Sequence, residues 1–277
     1  MLTIAQITDL HVAVGADGAV RPGNAGRLRA VLAAIAALRP RPAAIFASGD
    51  LTEAGSPEEY AALAEILKEA PCPVHLGMGN HDRRAALLNA FAPPLTGVDD
   101  RGFVQYALDV GDLRVIMCDT VEEGRAEGHF CEARAAWLAR TLDAAPSRPT
   151  IVLLHHPPIP CGIQWMDPTF QAAGRDRLGE ALGGRTQVLA VLCGHVHRAF
   201  HGPFAGHTVT VSSASALQLT LDLTPVDMRV ADGREILRGE PPGFTLLAWD
   251  GERLATHHGL AGDFPHPVTY DTPFERG

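Results

Sequence analysis

A chain of 277 residues with 46% apolar side chains can bury one sizeable core, and a net charge of −9 with no basic run excludes a surface built to track nucleic-acid phosphates. No stretch reaches the ~18 consecutive apolar residues of a membrane span, and no basic segment leads into an apolar one at the start, so neither a span nor a secretory leader is expected. The five cysteines, Cys72, Cys118, Cys131, Cys161 and Cys193, form no C-x-x-C pair, which points away from disulfides or a zinc-thiolate site and toward reduced thiols in a cytoplasmic protein.

The first predicted strand is Leu2–Ile7, which runs into Asp9-Leu10-His11. Residues 15–26 read as a Gly-rich loop holding Pro22, without the Lys-Ser/Thr ending of a phosphate-cradling loop. A helix follows, with Leu28, Val31, Leu32, Ile35 and Leu38 on one stripe, and Pro40 and Pro42 end it. The strand at 43–47 leads to Gly49-Asp50. Ser56, Pro57 and Glu59 form a capping box for a second helix carrying Leu63, Ile66 and Leu67. The strand at 74–76 leads to Gly79-Asn80-His81-Asp82, where Asp82 reads as the cap of a helix through Leu87, Leu88 and Phe91.

Residues 103–110 and 113–118 read as a hairpin turning at Gly111-Asp112. That departs from a strand-helix-strand alternation and implies a second sheet. A helix over 134–142 precedes the strand at 151–154, which ends at His155-His156. A helix over 176–182 precedes the strand at 188–192, which ends at Gly194-His195-Val196-His197. Beyond these, 200–204, 208–213, 217–223, 244–249 and 254–258 are strand-like, and 225–243 is loop or lid. The expected layout is a catalytic core over residues 1–200. Residues 201–277 would add strands that complete the second sheet and a cap or oligomer contact.

Five short stretches thus follow short apolar runs, where open α/β sheets bind ligands beyond the carboxyl ends of their strands. Together they supply carboxylate, imidazole and amide groups in the proportions two divalent cations need. Two cations ~3.5–4 Å apart can generate a hydroxide from water and clamp a phosphoryl group. Asp50 is the candidate bridge between them, because Gly49 lets the backbone turn sharply. The mixed oxygen and nitrogen donors suit Mn, Fe, Zn or Co.

The order Asp-x-His, Gly-Asp, Gly-Asn-His-Asp, His, Gly-His-x-His resembles that of calcineurin-like metallophosphoesterases. Arg41-Pro42, Ser48-Gly49-Asp50, Pro57-Glu58-Glu59-Tyr60, His155-His156-Pro157-Pro158 and Met166-Asp167-Pro168 look closer still to bacterial glycerophosphodiester phosphodiesterases, with class III cyclic-nucleotide phosphodiesterases beside them. The resemblance covers residues 1–200 best. It implies a four-layer α/β/β/α sandwich and two metal ions. One would sit on Asp9, His11, Asp50 and His197, the other on Asp50, Asn80, His155 and His195. His81 would lie near the leaving group as acid or oxyanion stabiliser. Asn80, His156 and Cys161 join His81 as candidate substrate contacts.

Three readings stay open at this point. One is a phosphodiesterase acting on small diesters, such as glycerophosphodiesters or 3',5'-cyclic nucleotides, by attack of a metal-bound hydroxide. The second is a phosphomonoesterase or nuclease on the same scaffold, and the acidic balance weighs against a polynucleotide. The third is a metal-binding scaffold without catalysis. A homo-oligomer is expected. Specificity is expected to lie in residues 12–26, 161–171 and the C-terminal cap. His75, His129, His201, His207, His257, His258 and His266 match no motif.

Overall fold

The computed structural model describes residues 1–93 and 95–264, so His266 lies outside the described residues. The first half contains β1 (Leu2–Ile7), α1 (Pro22–Ala37), β2 (Ala44–Ala47), α2 (Pro57–Leu67), β3 (Val74–Leu76), α3 (Arg84–Ala90), β4 (Tyr106–Val110), β5 (Leu113–Met117) and α4 (Glu132–Asp143). The second half contains β6 (Thr150–Leu153), α5 (Ala172–Leu182), β7 (Val188–Cys193), β8 (Phe200–Phe204), β9 (His207–Val211), β10 (Gln218–Leu219), β11 (Leu237–Arg238), β12 (Gly243–Trp249) and β13 (Leu254–Leu260).

Two sheets carry the fold. A five-stranded sheet has the order β13-β12-β1-β2-β3, and a six-stranded sheet has the order β4-β5-β6-β7-β9-β8. Within them β1, β2 and β3 run parallel, as do β5, β6, β7 and β9. The remaining pairings are antiparallel. β2 and β6 are buried along their whole length, which is why they read as unbroken apolar runs.

Three hydrophobic clusters fill the spaces between four layers. The first joins the five-stranded sheet to α1 and α2, through residues such as Ile7, Ile45, Leu28 and Leu63. The second joins the six-stranded sheet to α4 and α5, through Val152, Val191, Leu138 and Leu178. The third lies between the sheets, where Ile4, Phe46 and Trp249 meet Val115, Leu153 and Leu192. The result is the α/β/β/α sandwich the resemblance implies. No helix among the described residues is long and apolar enough to cross a membrane.

Local signals explain most boundaries. α2 starts at the expected capping box, with the Ser56 side chain accepting from Glu59 N and the Glu59 carboxylate accepting from Ser56 N. α1 starts earlier than its Gly-rich composition suggests. Pro22 occupies the first helical position, where its fixed φ and missing N–H suit a helix. Residues 22–26, read as loop from sequence, therefore form its first turn.

The C-terminal strands divide between the sheets, which corrects the expectation of strands that complete the second sheet beside a cap or oligomer contact. β8 and β9 join the six-stranded sheet, but β12 pairs antiparallel with β1 and carries β13 with it. The strand expected over 217–223 shortens to β10, which forms a two-stranded ribbon with β11.

Candidate dinuclear metal centre

The carboxyl ends of β1, β2 and β3 lie side by side in one sheet, and those of β6 and β7 lie side by side in the other. The five motif loops extend from these ends and meet. Asp9, His11, Asp50 and His197 bring one ligand atom each within 4.8 Å of one another. His155, His156 and His195 form a second such group. Asp50 connects the two groups, since its Oδ2 lies 3.6 Å from His11 Nε2 and 3.2 Å from His155 Nε2. None of the six described histidines outside the motifs joins these groups.

The backbone is strained to achieve this. Asp9, His11, Asp50, His195 and His197 all have positive φ, between 43° and 71°. Left-handed backbone at non-glycine residues is uncommon and concentrates at functional sites. Gly49 has φ of 116°, and a Cβ there would lie 2.6 Å from His155 Nδ1. A Cβ at Gly79 would collide with Asp50 Oδ1. Both glycines are therefore required by the closeness of the loops.

Hydrogen bonds fix how each ring presents itself. His155 Nδ1 donates to Ser48 O at 3.2 Å, and His197 Nδ1 donates to Leu217 O at 2.8 Å. His11 Nδ1 donates to Glu53 Oε2 at 2.9 Å. In each ring Nε2 is left for another partner. The backbone N–H of His195 donates to Asp9 Oδ1 at 3.0 Å, and that of His81 donates to Asp50 Oδ1 at 2.9 Å. Both carboxylates are thereby aimed before any ligand arrives.

The site fits metal ions. Asn80 Oδ1 and His155 Nε2 are buried without a hydrogen-bond partner among the described residues. Leaving such atoms unpaired is costly, and a cation satisfies both. His155 Nε2 does approach Asp50 Oδ2, but off the line a hydrogen bond needs. Burial works against charge on His155, yet the Asp50 carboxylate outweighs it and raises the ring to about 9. Burial, joined by the charge of His155, lowers His195 to about 3. Donors of carboxylate, imidazole and amide type, without a thiolate, suit borderline divalent ions. The third close group, His11, Glu53 and His81, is a hydrogen-bonded trio, because His81 Nδ1 donates to Glu53 O at 2.7 Å.

Asp82 is not the helix cap that its position suggests. The N-cap of α3 is Arg83, without a side-chain cap. Asp82 is fully buried and accepts from Gly79 N at 2.8 Å, Leu51 N at 3.1 Å and Tyr60 Oη at 3.0 Å. It ties the Asp50 loop to the Asn80 loop. Burial, with the Asp50 charge behind it, raises its carboxyl to about 6.

A cavity of about 650 Å³ opens over the metal-binding groups, with His11, Asp50, Asn80, His81, His195 and His197 on its wall. Asn24 of α1, Trp165 and Met166 of the β6–α5 loop, Leu217, and Leu219 and Leu237 of the ribbon also line it. His156 and Cys161 do not line it. His156 is buried behind His155, with Nδ1 2.8 Å from Thr120 Oγ1. The Cys161 thiol donates to Asp167 Oδ1 at 3.4 Å. Asn24, Glu53 and Glu127 line the cavity without a motif to mark them.

Paired ligand groups around a shared carboxylate, at one edge of a double sheet, define a two-metal hydrolase. The chain belongs to the calcineurin-like phosphoesterase family, whose model matches residues 2–199. It is 31% identical to a probable glycerophosphodiester phosphodiesterase of Arcobacter nitrofigilis over 84% of this chain and 83% of that one. It is 32% identical to a probable cyclic nucleotide phosphodiesterase of Rhodopseudomonas palustris over 91% of this chain and 89% of that one. A dimetal phosphatase from Danio rerio shares the fold at a TM-score of 0.69 and 16% identity, covering 94% of this chain and 96% of that one.

Proposed function

We propose that the chain is a dinuclear metal-dependent phosphodiesterase acting on small diesters, glycerophosphodiesters or 3',5'-cyclic nucleotides. The observation that carries this is Asp50, whose Oδ2 stands between His11 and His155 and so between two half-sites. In this reading Asp9, His11, Asp50 and His197 hold one ion, and Asp50, Asn80, His155 and His195 hold the other. Bound, the pair of ions supplies a water nucleophile at neutral pH and neutralises phosphoryl charge. Mn, Fe, Zn or Co would serve.

The chain's own groups do the rest. His81 has Nδ1 committed to Glu53 O, so Nε2 is the nitrogen available to a substrate. Its place on the cavity wall supports a role as acid or oxyanion donor. The wall carries no Lys or Arg among the described residues, but it does carry Glu53 and Glu127. That favours the single charge of a diester over the extra charge of a monoester. The curated relatives named above are phosphodiesterases as well.

Exposed apolar side chains at Leu221, Leu223, Met228, Val230 and Ile236 support a homo-oligomer. The five free cysteines support a reducing compartment. The deciding experiment is turnover by Mn²⁺-reconstituted protein of bis(p-nitrophenyl) phosphate, glycerophosphocholine, 3',5'-cyclic AMP and p-nitrophenyl phosphate. Diester turnover is expected to exceed monoester turnover, and the reverse order would contradict the proposal.

A further inference from the structure

We propose that the cavity selects diesters bearing a planar heteroaromatic group, the nucleoside end of a 3',5'-cyclic nucleotide, and that Trp165 is the residue that selects them. This rests on the phosphodiesterase reading and narrows it to one substrate class.

The cavity wall mixes metal-binding groups with apolar side chains. The metal-binding groups line part of it, Leu217 and Leu219 stand beside His197 through backbone hydrogen bonds, and Trp165, Met166 and Leu237 add apolar surface from other segments. A volume of about 650 Å³ is far more than a glycerol group fills. Glycerol also has no flat apolar face to set against that surface, and burying its hydroxyls there would cost free energy. A nucleobase has two apolar faces and a polar edge. Every base stacks on an aromatic side chain through its π-face.

The apolar lining residues come from different elements. Trp165 and Met166 pack against the core cluster of the six-stranded sheet, while Leu237 stands 45% exposed on the ribbon. The loop carrying Trp165 is organised in advance. The Asp167 carboxylate accepts from Gly162 N at 2.8 Å and Cys161 N at 3.0 Å, and Thr169 Oγ1 donates to Pro157 O at 2.7 Å. Val226 N donates to Gln164 Oε1 at 2.7 Å, which ties the ribbon's connecting loop to the residue beside Trp165. Such preorganisation lowers the cost of binding.

Glu127 supplies the polar contact. It lines the cavity and makes no hydrogen bond or ion pair among the described residues. Its carboxylate is therefore free to accept from a ribose hydroxyl or an exocyclic amine. A choline group is a poorer match, because an aromatic cage uses several rings and Trp165 is the one Trp, Tyr or Phe on the described wall.

The test compares 3',5'-cyclic AMP with glycerophosphocholine as substrates of the metal-loaded wild type, Trp165→Ala, Trp165→Phe and Leu237→Ser. The wild type is expected to show the higher kcat/KM for cyclic AMP. Trp165→Ala is expected to raise the cyclic AMP KM about tenfold or more, with kcat and metal content held. Trp165→Phe should restore most of the affinity. The glycerophosphocholine KM should move by no more than about twofold. Leu237→Ser, at an exposed position, should shift the cyclic AMP KM in the same direction even if Trp165→Ala unfolds. A wild-type preference for glycerophosphocholine, or an equal rise in KM for both substrates, would overturn the proposal and leave the phosphodiesterase reading standing. Failure of the wild type to turn over any diester would overturn both.

Discussion

The Nε2 atoms of His11 and His197 face each other across 3.1 Å, while each ring's Nδ1 is already engaged as a donor, to Glu53 Oε2 and Leu217 O. Two neutral rings held this way oppose lone pair to lone pair. Without a cation, only a proton can reconcile them. His11 is the ring to carry it: burial opposes its charge, but the hydrogen bond to Glu53 and the charges of Asp50 and Asp9 prevail and raise its pKa.

The same competition between proton and metal sets a pH dependence at His155. Its ring is raised to about 9, so the metal-free protein binds a proton there at pH 7.5 that a metal must displace. Metal affinity is therefore expected to rise with pH, by about tenfold per unit for each displaced proton, and to flatten above about pH 9. The stability of the metal-free protein should move the other way. A ring raised from 6.5 to about 9 on folding stabilises fully below pH 6.5, and that contribution is lost as pH climbs through 9. Calorimetric titrations with Mn²⁺ and thermal unfolding of the chelated protein, both from pH 6.5 to 9.5, check the two trends. Parallel trends would contradict this coupling.

Glu53 holds His11 through its carboxylate and His81 through its main-chain carbonyl. A carboxylate behind a ligating imidazole fixes the ring and raises its basicity, and losing it typically costs ~10–100-fold in metal affinity. Glu53→Ala should weaken one of two Mn²⁺ binding steps by about that factor. The melting temperature should barely change, because the carboxylate is half exposed. Unchanged binding of both ions would limit Glu53 to shaping the cavity.

His81→Ala is expected to lower kcat by ~10²–10⁴-fold with metal content unchanged, the range of a positioned acid or oxyanion donor. The loss should be smaller for p-nitrophenol esters, whose leaving group needs little protonation. Equal losses for p-nitrophenol and alkyl esters would assign His81 to phosphoryl charge. Loss of metal would contradict the ligand sets given above.

The ligand loops were legible in sequence because each is a short polar motif directly after an apolar run, and strand ends of parallel sheets converge. The four layers were legible for the same reason, together with the hairpin at Gly111-Asp112. The sheet that receives β12 was not, since β1 pairs with a segment near the other end of the chain. Nothing local in residues 243–249 distinguishes one sheet edge from another. Asp82 was misread because a carboxylate before a helix is ordinarily a cap, and only the fold shows the donors around it. Glu53, Asn24 and Trp165 belong to no motif. Their roles come from reach across loops, which spacing along the chain does not encode.

The most direct measurement is the number of metal ions per chain, by elemental analysis after reconstitution with excess Mn²⁺, in the wild type, Asp50→Ala and Asn80→Ala. Asp50 Oδ2 lies between both half-sites, whereas Asn80 is assigned to one. Two ions are expected in the wild type, none retained in Asp50→Ala and one in Asn80→Ala. A single ion in the wild type, or two ions retained without Asp50, would contradict a shared dinuclear centre.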